Sequence, residues 1–189
     1  MQNPKRIKSK LSNQVRIIGG QYRRRLLVFP DAPGLRPTPD RVRETLFNWL
    51  GQDLPGWSCL DLYAGSGALG FEAASRGAAR VVMVERERAA LDTLQANRVL
   101  LNAVQIEIQR ADCISWLESS NELFELVFLD PPFDSGLAES VWPELARHVK
   151  TGGFVYVEQS SYITTPPGFS LHRSGRAGKS HFALLIKEA

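Results

Sequence analysis

The sequence is poor in the residues that usually announce a disulfide scaffold or a metal centre. Two cysteines, Cys59 and Cys113, and three histidines without ligand spacing exclude a disulfide framework and predict no metal site. Both cysteines sit in or beside apolar runs, which predicts reduced thiols in a cytoplasmic protein. No apolar run approaches the roughly 20 residues needed to span a bilayer, and the basic N-terminus lacks the apolar stretch of a signal peptide. Internal repeats and low-complexity tracts are missing too. A chain of 189 residues, 43% hydrophobic and 23% charged, suits one globular domain with an ample core and a small appendage.

Charge is present but uneven. Residues 1–50 hold 11 Lys/Arg against 3 Asp/Glu, whereas residues 51–189 hold 12 against 17. A basic front end on an acidic body points to a polyanionic partner, of which nucleic acid is the commonest. Within that front end, 15-VRIIGG-20 and 25-RLLVF-29 predict a short β-hairpin carrying Arg23, Arg24 and Arg25. An irregular Pro/Gly stretch follows. Thr38 is then expected as an N-cap and Pro39 as the first helical residue, with Val42, Leu46, Trp49 and Leu50 on one face and Arg41, Arg43, Glu44 and Asn48 elsewhere.

From Cys59 onward, short apolar runs alternate with helical patterns. The expected strands are 59-CLDLY-63, 80-RVVMVE-85, 105-QIEIQ-109, 125-ELVFLD-130 and 153-GFVYVE-158, with helices over 68–76, 87–102, 114–117 and 137–149 between them. Strand–helix repetition predicts a parallel sheet. The runs 169-FSLHR-173 and 181-HFALLIK-187 are joined by a segment too short for a helical crossover, which predicts an antiparallel hairpin at the sheet edge. Trp49, Trp57, Trp116 and Trp142 are assigned to the core or to interfaces between layers.

The first strand runs into 61-DLYAGSGALG-70, where Gly65, Gly67 and Gly70 satisfy G-x-G-x-x-G and Glu85 ends the next strand. That pattern suits a dinucleotide, with the acid on a ribose. Asp61 favours a different ligand, because a carboxylate repels a pyrophosphate but attracts the α-ammonium and sulfonium of S-adenosylmethionine. The glycines let the backbone approach the methionyl part closely. Asp112, in 110-RADC-113, is placed for an adenine amino group, and Tyr63, Ala64 and Cys113 complete the candidate cofactor set.

The fourth strand ends in 127-VFLDPPF-133, where two prolines stiffen the chain just past an acid. An exocyclic amine on a nucleobase is a poor nucleophile because its lone pair is delocalised into the ring. Methylating it calls for hydrogen-bond acceptors that turn the lone pair toward the donor, and for a surface that holds the base flat. Asp130 and the Pro131 carbonyl supply the acceptors, Pro132 keeps them in register, and Phe133 supplies a stacking face. Such a target must leave its base stack. Taken alone, the same residues are also what a Pro-rich turn with a core phenylalanine would show.

With these residues in hand, the chain resembles the class I S-adenosylmethionine methyltransferases that modify exocyclic amines. It is similar above all to the bacterial RsmD family, which methylates N2 of one guanine in 16S ribosomal RNA. The matching segments are 16-RIIGGQYRRR-25, 34-GLRPTPDRVRETLFNWL-50, 61-DLYAGSGALGFEAASRGA-78 and 128-FLDPPF-133. The resemblance implies a Rossmann-like α/β fold: a mostly parallel seven-stranded sheet with an antiparallel C-terminal strand, helices on both faces and a small N-terminal hairpin. It also implies a target guanine at position 966 in the usual numbering of that RNA, action during small-subunit assembly, and an Arg41/Glu44 helix that closes over the methionyl end of the donor.

Residues 1–37 are expected to be an RNA-binding tail and hairpin, and residues 38–189 the methyltransferase domain of a monomer. Arg16, Arg23, Arg24, Arg25, Arg36 and Arg41 are the candidate RNA contacts. One departure from the family pattern is Arg24, where glycine is usual. Three alternatives stay open on the sequence. A DNA adenine-N6 methyltransferase shares the glycine loop and the Asp-Pro-Pro-Phe segment but normally needs a further recognition domain. A nicotinamide-dependent oxidoreductase leaves Asp61 and Asp130 unexplained, and a non-catalytic RNA-binding assembly factor needs no intact donor site.

Overall fold

Strands covered by helices on both faces must be apolar at successive positions, and residues 81–84 and 126–129 show the consequence. In the computed structural model, which describes residues 13–32, 35–132 and 137–189, Val81, Met83, Leu126 and Phe128 point to one face of a sheet. Val82, Val84, Val127 and Leu129 point to the other. The first face is covered by α1 (Asp40–Trp49), α2 (Ala68–Ser75) and α3 (Arg88–Leu101), through side chains such as Leu46, Phe71 and Leu94. The second is covered by α4 (Cys113–Ser119) and α5 (Leu137–Leu145), through Trp116, Leu117, Val141 and Leu145. Among the described residues no helix is long and apolar enough to cross a membrane.

A small sheet, β1 (Asn13–Arg16) and β2 (Leu26–Phe29), precedes the main one. The strands of the main sheet are β3 (Ser58–Asp61), β4 (Arg80–Glu85), β5 (Ile106–Arg110), β6 (Phe124–Leu129), β7 (Val149–Gln159), β8 (Phe169–Ala177) and β9 (Ser180–Lys187). Their spatial order is β5-β4-β3-β6-β7-β9-β8. β3 to β7 are parallel, and β9 lies antiparallel between β7 and β8. The sheet that the sequence leads one to expect is therefore present, with strand order reversing between β3 and β6. The four tryptophans take up ring contacts as expected: Trp49 stacks on Phe182 and Trp57 on Phe154, while Trp116 packs on Phe124 and Trp142 on Phe169.

Several expectations need correction. The antiparallel edge hairpin is present, but most of the connecting segment 174–180 is itself strand: β8 and β9 extend through it to a two-residue turn at Gly178 and Lys179, where Gly178 takes φ +61°. The helix begun at Leu137 stops at Leu145, followed by a 3-10 turn over Ala146–His148. Thr38 does not cap α1, whose flanking residue is Pro39 and whose first N–H groups, from Val42 and Arg43, donate to the Pro39 carbonyl. Arg24 adopts φ +69°, the left-handed region where glycine is unstrained, which accounts for the glycine usual at that place. Residues 1–12 of the basic tail, Pro33, Gly34 and Phe133 lie outside the described residues.

The largest correction is Arg43, expected on the polar side of α1 and found fully buried. Its guanidinium donates to Glu72, Asp40 and the carbonyls of Thr38 and Arg16. Glu72, equally buried on α2, also accepts from Arg76 and from the backbone N–H groups of Ile18 and Gly19, each at 2.8 Å. The hairpin is thus fixed to α1 and α2 through one carboxylate. Removing a partner from such a buried network leaves charges without compensation, at a cost of about 3–5 kcal/mol. Glu72→Ala is expected to lower the unfolding free energy in urea by about that amount, whereas Glu107→Ala, on an exposed pair with Arg80, should change it by less than about 1 kcal/mol.

Candidate active site

Parallel strands in a common register end side by side, so residues that terminate successive strands are neighbours on one edge. Asp61 ends β3, Glu85 ends β4, Asp112 follows β5, Asp130 follows β6, and Glu158 lies at the end of β7. Five carboxylates therefore border the C-terminal edge of the sheet, on both sides of the point where strand order reverses. Open α/β sheets bind their ligands in the crevice at such a point.

The glycine loop between β3 and α2 is held from two sides. Asp61, only 1% exposed, accepts from the Gly70 N–H at 3.1 Å and so anchors α2 from beneath. Burial pushes its carboxyl up to about 7, against the pull of the backbone N–H groups of Gly70 and Tyr63 and with the Glu85 charge adding to the rise. Glu85 accepts from the Gly65 N–H at 2.8 Å and from the N–H groups of Arg86 and Glu87. Gly65 and Gly67 take φ +50° and +80°, and a Cβ on Gly67 would fall 2.6 Å from Phe71 and 2.7 Å from Leu94. Only glycine lets this loop lie so close to α2 and α3. Ala64, also buried, donates its N–H to the Val84 carbonyl.

Asp112 caps α4, its Oδ1 accepting from the N–H groups of Ile114 and Ser115, while the residue as a whole stays exposed. Next to it the buried Cys113 thiol donates to the Tyr63 hydroxyl oxygen at 2.9 Å. Burial raises the Cys113 thiol, so it stands here as a neutral donor. Tyr63 and Cys113 thus form a bridge between the loop after β3 and the start of α4.

Asp130 stands across the strand-order reversal from this loop. Thr38, itself buried, donates its hydroxyl to Asp130 Oδ2 at 3.1 Å. The Asp130 carboxyl is raised well above its ordinary range, first by loss of water and then by the charges of Glu158 and Asp61; the Thr38 bond opposes the rise. Glu158 lies beside it because Leu129 and Val157 are paired across β6 and β7. Its carboxylate accepts from Tyr156 at 2.7 Å and from Ser180 at 2.6 Å. Pro131 is buried and Pro132 exposed.

The arginines divide into two groups. Arg36 and Arg41 are exposed on either side of Thr38, and the exposed Arg16 pairs with Asp40 at the start of α1. Arg23, Arg24 and Arg25 are exposed in the hairpin turn, whose Gln21 and Tyr22 N–H groups bond to Ser75. That is the last residue of α2, about 12 Å along the helix from the glycine loop. The structure therefore brings the cofactor candidates and Asp130 to one edge but leaves the hairpin turn away from it.

Thr38 and Glu158 are site residues that sequence reasoning misses. Glu158 carries a signal, because it ends an apolar run just as Glu85 and Asp130 do. Thr38 carries a misleading one, since a threonine before proline and a helix reads as a cap.

The family described as "Conserved hypothetical protein 95" matches residues 15–186. Ribosomal RNA small subunit methyltransferase D of Escherichia coli is 43% identical over 183 residues, which are 94% of this chain and 92% of that protein. The protein of the same description from Haemophilus influenzae is 38% identical over 173 residues, 87% and 90% of the two chains. A solved Escherichia coli structure, 42% identical, superposes with a TM-score of 0.85 over 94% of this chain and 99% of that one.

The elevated Asp61 carboxyl has a measurable sign. Its proton is held more tightly in the fold than in the unfolded chain, so its ionisation weakens the fold as pH rises from the ordinary carboxylate range toward about 7. Asp61→Asn keeps an acceptor for Gly70 and removes the charge. Its stability relative to wild type, from urea unfolding, should climb between about pH 4 and pH 7 and level off above that; a difference independent of pH would show that the fold does not raise the Asp61 carboxyl.

Proposed function

The chain belongs to the ribosomal RNA small subunit methyltransferase D family, and on that premise we propose that it transfers a methyl group from S-adenosylmethionine to the exocyclic N2 of one guanine in 16S ribosomal RNA. The observation that carries this reading is Asp130, held by Thr38 at a strand end beside the glycine loop. Its fold is that of the class I methyltransferases.

The residues present fit the donor. Residues 61–70 contain no lysine or arginine to neutralise a pyrophosphate, while Asp61 and Glu85 make the loop's surroundings acidic. The backbone cradle at Gly65 and Gly67 has no room for a Cβ. Asp61, Tyr63, Ala64, Gly65 and Gly67 would hold the methionyl end, Glu85 the ribose, and Asp112 with Cys113 the adenine. Bound there, S-adenosylmethionine supplies a methyl group on a sulfonium, already activated for transfer to an amine.

The chain's own residues prepare the acceptor. Asp130 and the Pro131 carbonyl accept the two N–H bonds of the guanine amine and so direct its lone pair out of the ring plane. The prolines keep both acceptors in place, and Phe133 supplies the stacking face. Ionised, Asp130 is the stronger acceptor, and its charge stabilises the ammonium that develops on N2. The proton released after transfer passes to Asp130 or to water. Arg16, Arg36 and Arg41 grip phosphates near the site, and the hairpin turn with Arg23, Arg24 and Arg25 grips them farther off. A cytoplasmic setting, with an assembling small subunit as the substrate, suits the free thiols of Cys59 and Cys113.

Tritiated methyl groups from labelled donor, mapped onto 16S RNA from a strain lacking the enzyme, test the assignment. Wild type is expected to label a single guanine at N2. Asp130→Ala should lower turnover on the order of 100-fold or more while calorimetric donor affinity stays near wild type; full turnover would rule out the acceptor role given to Asp130.

Turnover should also fall as pH drops through the raised Asp130 carboxyl, because protonation removes the charge that stabilises the developing ammonium and occupies one of the two oxygens. Glu158→Gln removes the nearest like charge, so the acidic limb of the kcat profile should move to lower pH. A limb unmoved in this variant would mean that Glu158 does not set the state of Asp130.

A further inference from the structure

The edge that carries Asp130 continues onto a group of exposed residues beyond β7. Antiparallel pairing sets Glu158 opposite Phe182 and Gln159 opposite His181, so the turn between β8 and β9 opens on the same edge. Ser180 at that turn donates to Glu158, whose neighbour on β6 is Asp130.

Tyr162 stands just past the end of β7 with its side chain in solvent, 77% exposed. Its backbone is nonetheless fixed. Gln159 Nε2 donates to the Tyr162 carbonyl at 3.0 Å, and the next residue, Ile163, packs against the core. The His181 ring meets the tyrosine edge-on, with centroids 6.4 Å apart and planes at 69°. Arg176, paired in register with His181, and Lys179 in the turn are both exposed. Arg176 Nε donates to the Gly178 carbonyl, which keeps its guanidinium over the turn. Among the described residues neither cation has a carboxylate partner, whereas Arg16, Arg80, Arg86, Arg88, Arg147 and Lys150 all do.

An aromatic ring presented on a fixed backbone, flanked by cations that no acid neutralises, is the chemistry that binds single-stranded nucleic acid: the ring stacks a base and the cations take phosphates. We infer that Tyr162, His181, Arg176 and Lys179 form a second RNA contact, which stacks an unpaired base next to the target guanine. This rests on the RNA methyltransferase reading above. It also supplies what the hairpin turn cannot, since Arg23, Arg24 and Arg25 lie at the opposite end of α2 from the site.

The test uses full-length Tyr162→Ala, Tyr162→Phe and the double variant Arg176→Ala/Lys179→Ala, with unmethylated 16S RNA offered free and in small-subunit particles. Tyr162→Ala should raise KM for methylation and weaken binding to free RNA, each on the order of tenfold. Its kcat, its calorimetric affinity for S-adenosylmethionine and its urea unfolding should stay at wild-type values, and Tyr162→Phe should match wild type throughout. The double variant should flatten the salt dependence of RNA binding by about 0.7 in log–log slope for each phosphate that is no longer neutralised. Wild-type KM and RNA affinity in Tyr162→Ala would overturn the inference, as would a defect confined to particles, which would assign the surface to a protein. Failure of the wild-type enzyme to bind S-adenosylmethionine or to label RNA would instead sink the functional reading, and this inference with it.

Discussion

A single buried carboxylate, that of Glu72, joins the N-terminal hairpin to α1 and α2. It takes two backbone N–H groups from the hairpin, a guanidinium from α1 and another from Arg76 at the end of its own helix. Charges removed from water in this way are tolerated only when every lone pair and proton finds a partner. Here they do: no buried side-chain nitrogen or oxygen among the described residues lacks one. Arg43 carries the connection farther, because its Nε donates to the Thr38 carbonyl while the Thr38 hydroxyl donates to Asp130. Glu72, Arg43 and Thr38 thus link the docking of the hairpin to the orientation of Asp130 at the end of β6.

The sheet edge sets a second constraint. Parallel strands collect their terminal residues in one place, and here most of those residues are acids. Crowding them in a dry crevice raises the proton affinity of Asp61 and Asp130. A cationic ligand relieves that crowding and an anionic one aggravates it. The same crowding makes Asp130 depend on its neighbours: Thr38 favours the ionised form and Glu158 opposes it. The state of the acid is therefore set by its burial and by residues far from it in the sequence.

Much of this is legible in the sequence, and the reasons differ by region. The five parallel strands show because each is a short apolar run closed by an acid or a turn. The glycine loop shows because its backbone geometry admits no other residue. Arg43 escapes although Arg43, Leu46, Phe47 and Leu50 share the spacing of one helical face, because a charge normally faces solvent. Thr38 reads as a cap because local pattern cannot reveal a partner 92 residues away. The segment 174–180 reads as a connection because glycine and serine disfavour strands, yet pairing between β8 and β9 overrides that preference. The exposure of Tyr162 is not legible at all, since it depends on which residues its neighbours bury.

The position of β8 has one more consequence. As the outermost strand next to β9, it leaves a row of backbone N–H and C=O groups open over nine residues, a template on which another copy of the chain can add a strand. Its register shifts between Leu171 and Arg173, which breaks the flat repeat that such addition needs. His172, Arg173 and Arg176 place bulk and positive charge along it, so two copies brought edge to edge repel each other. The positive charges that make this edge receptive to a polyanion also protect it against aggregation.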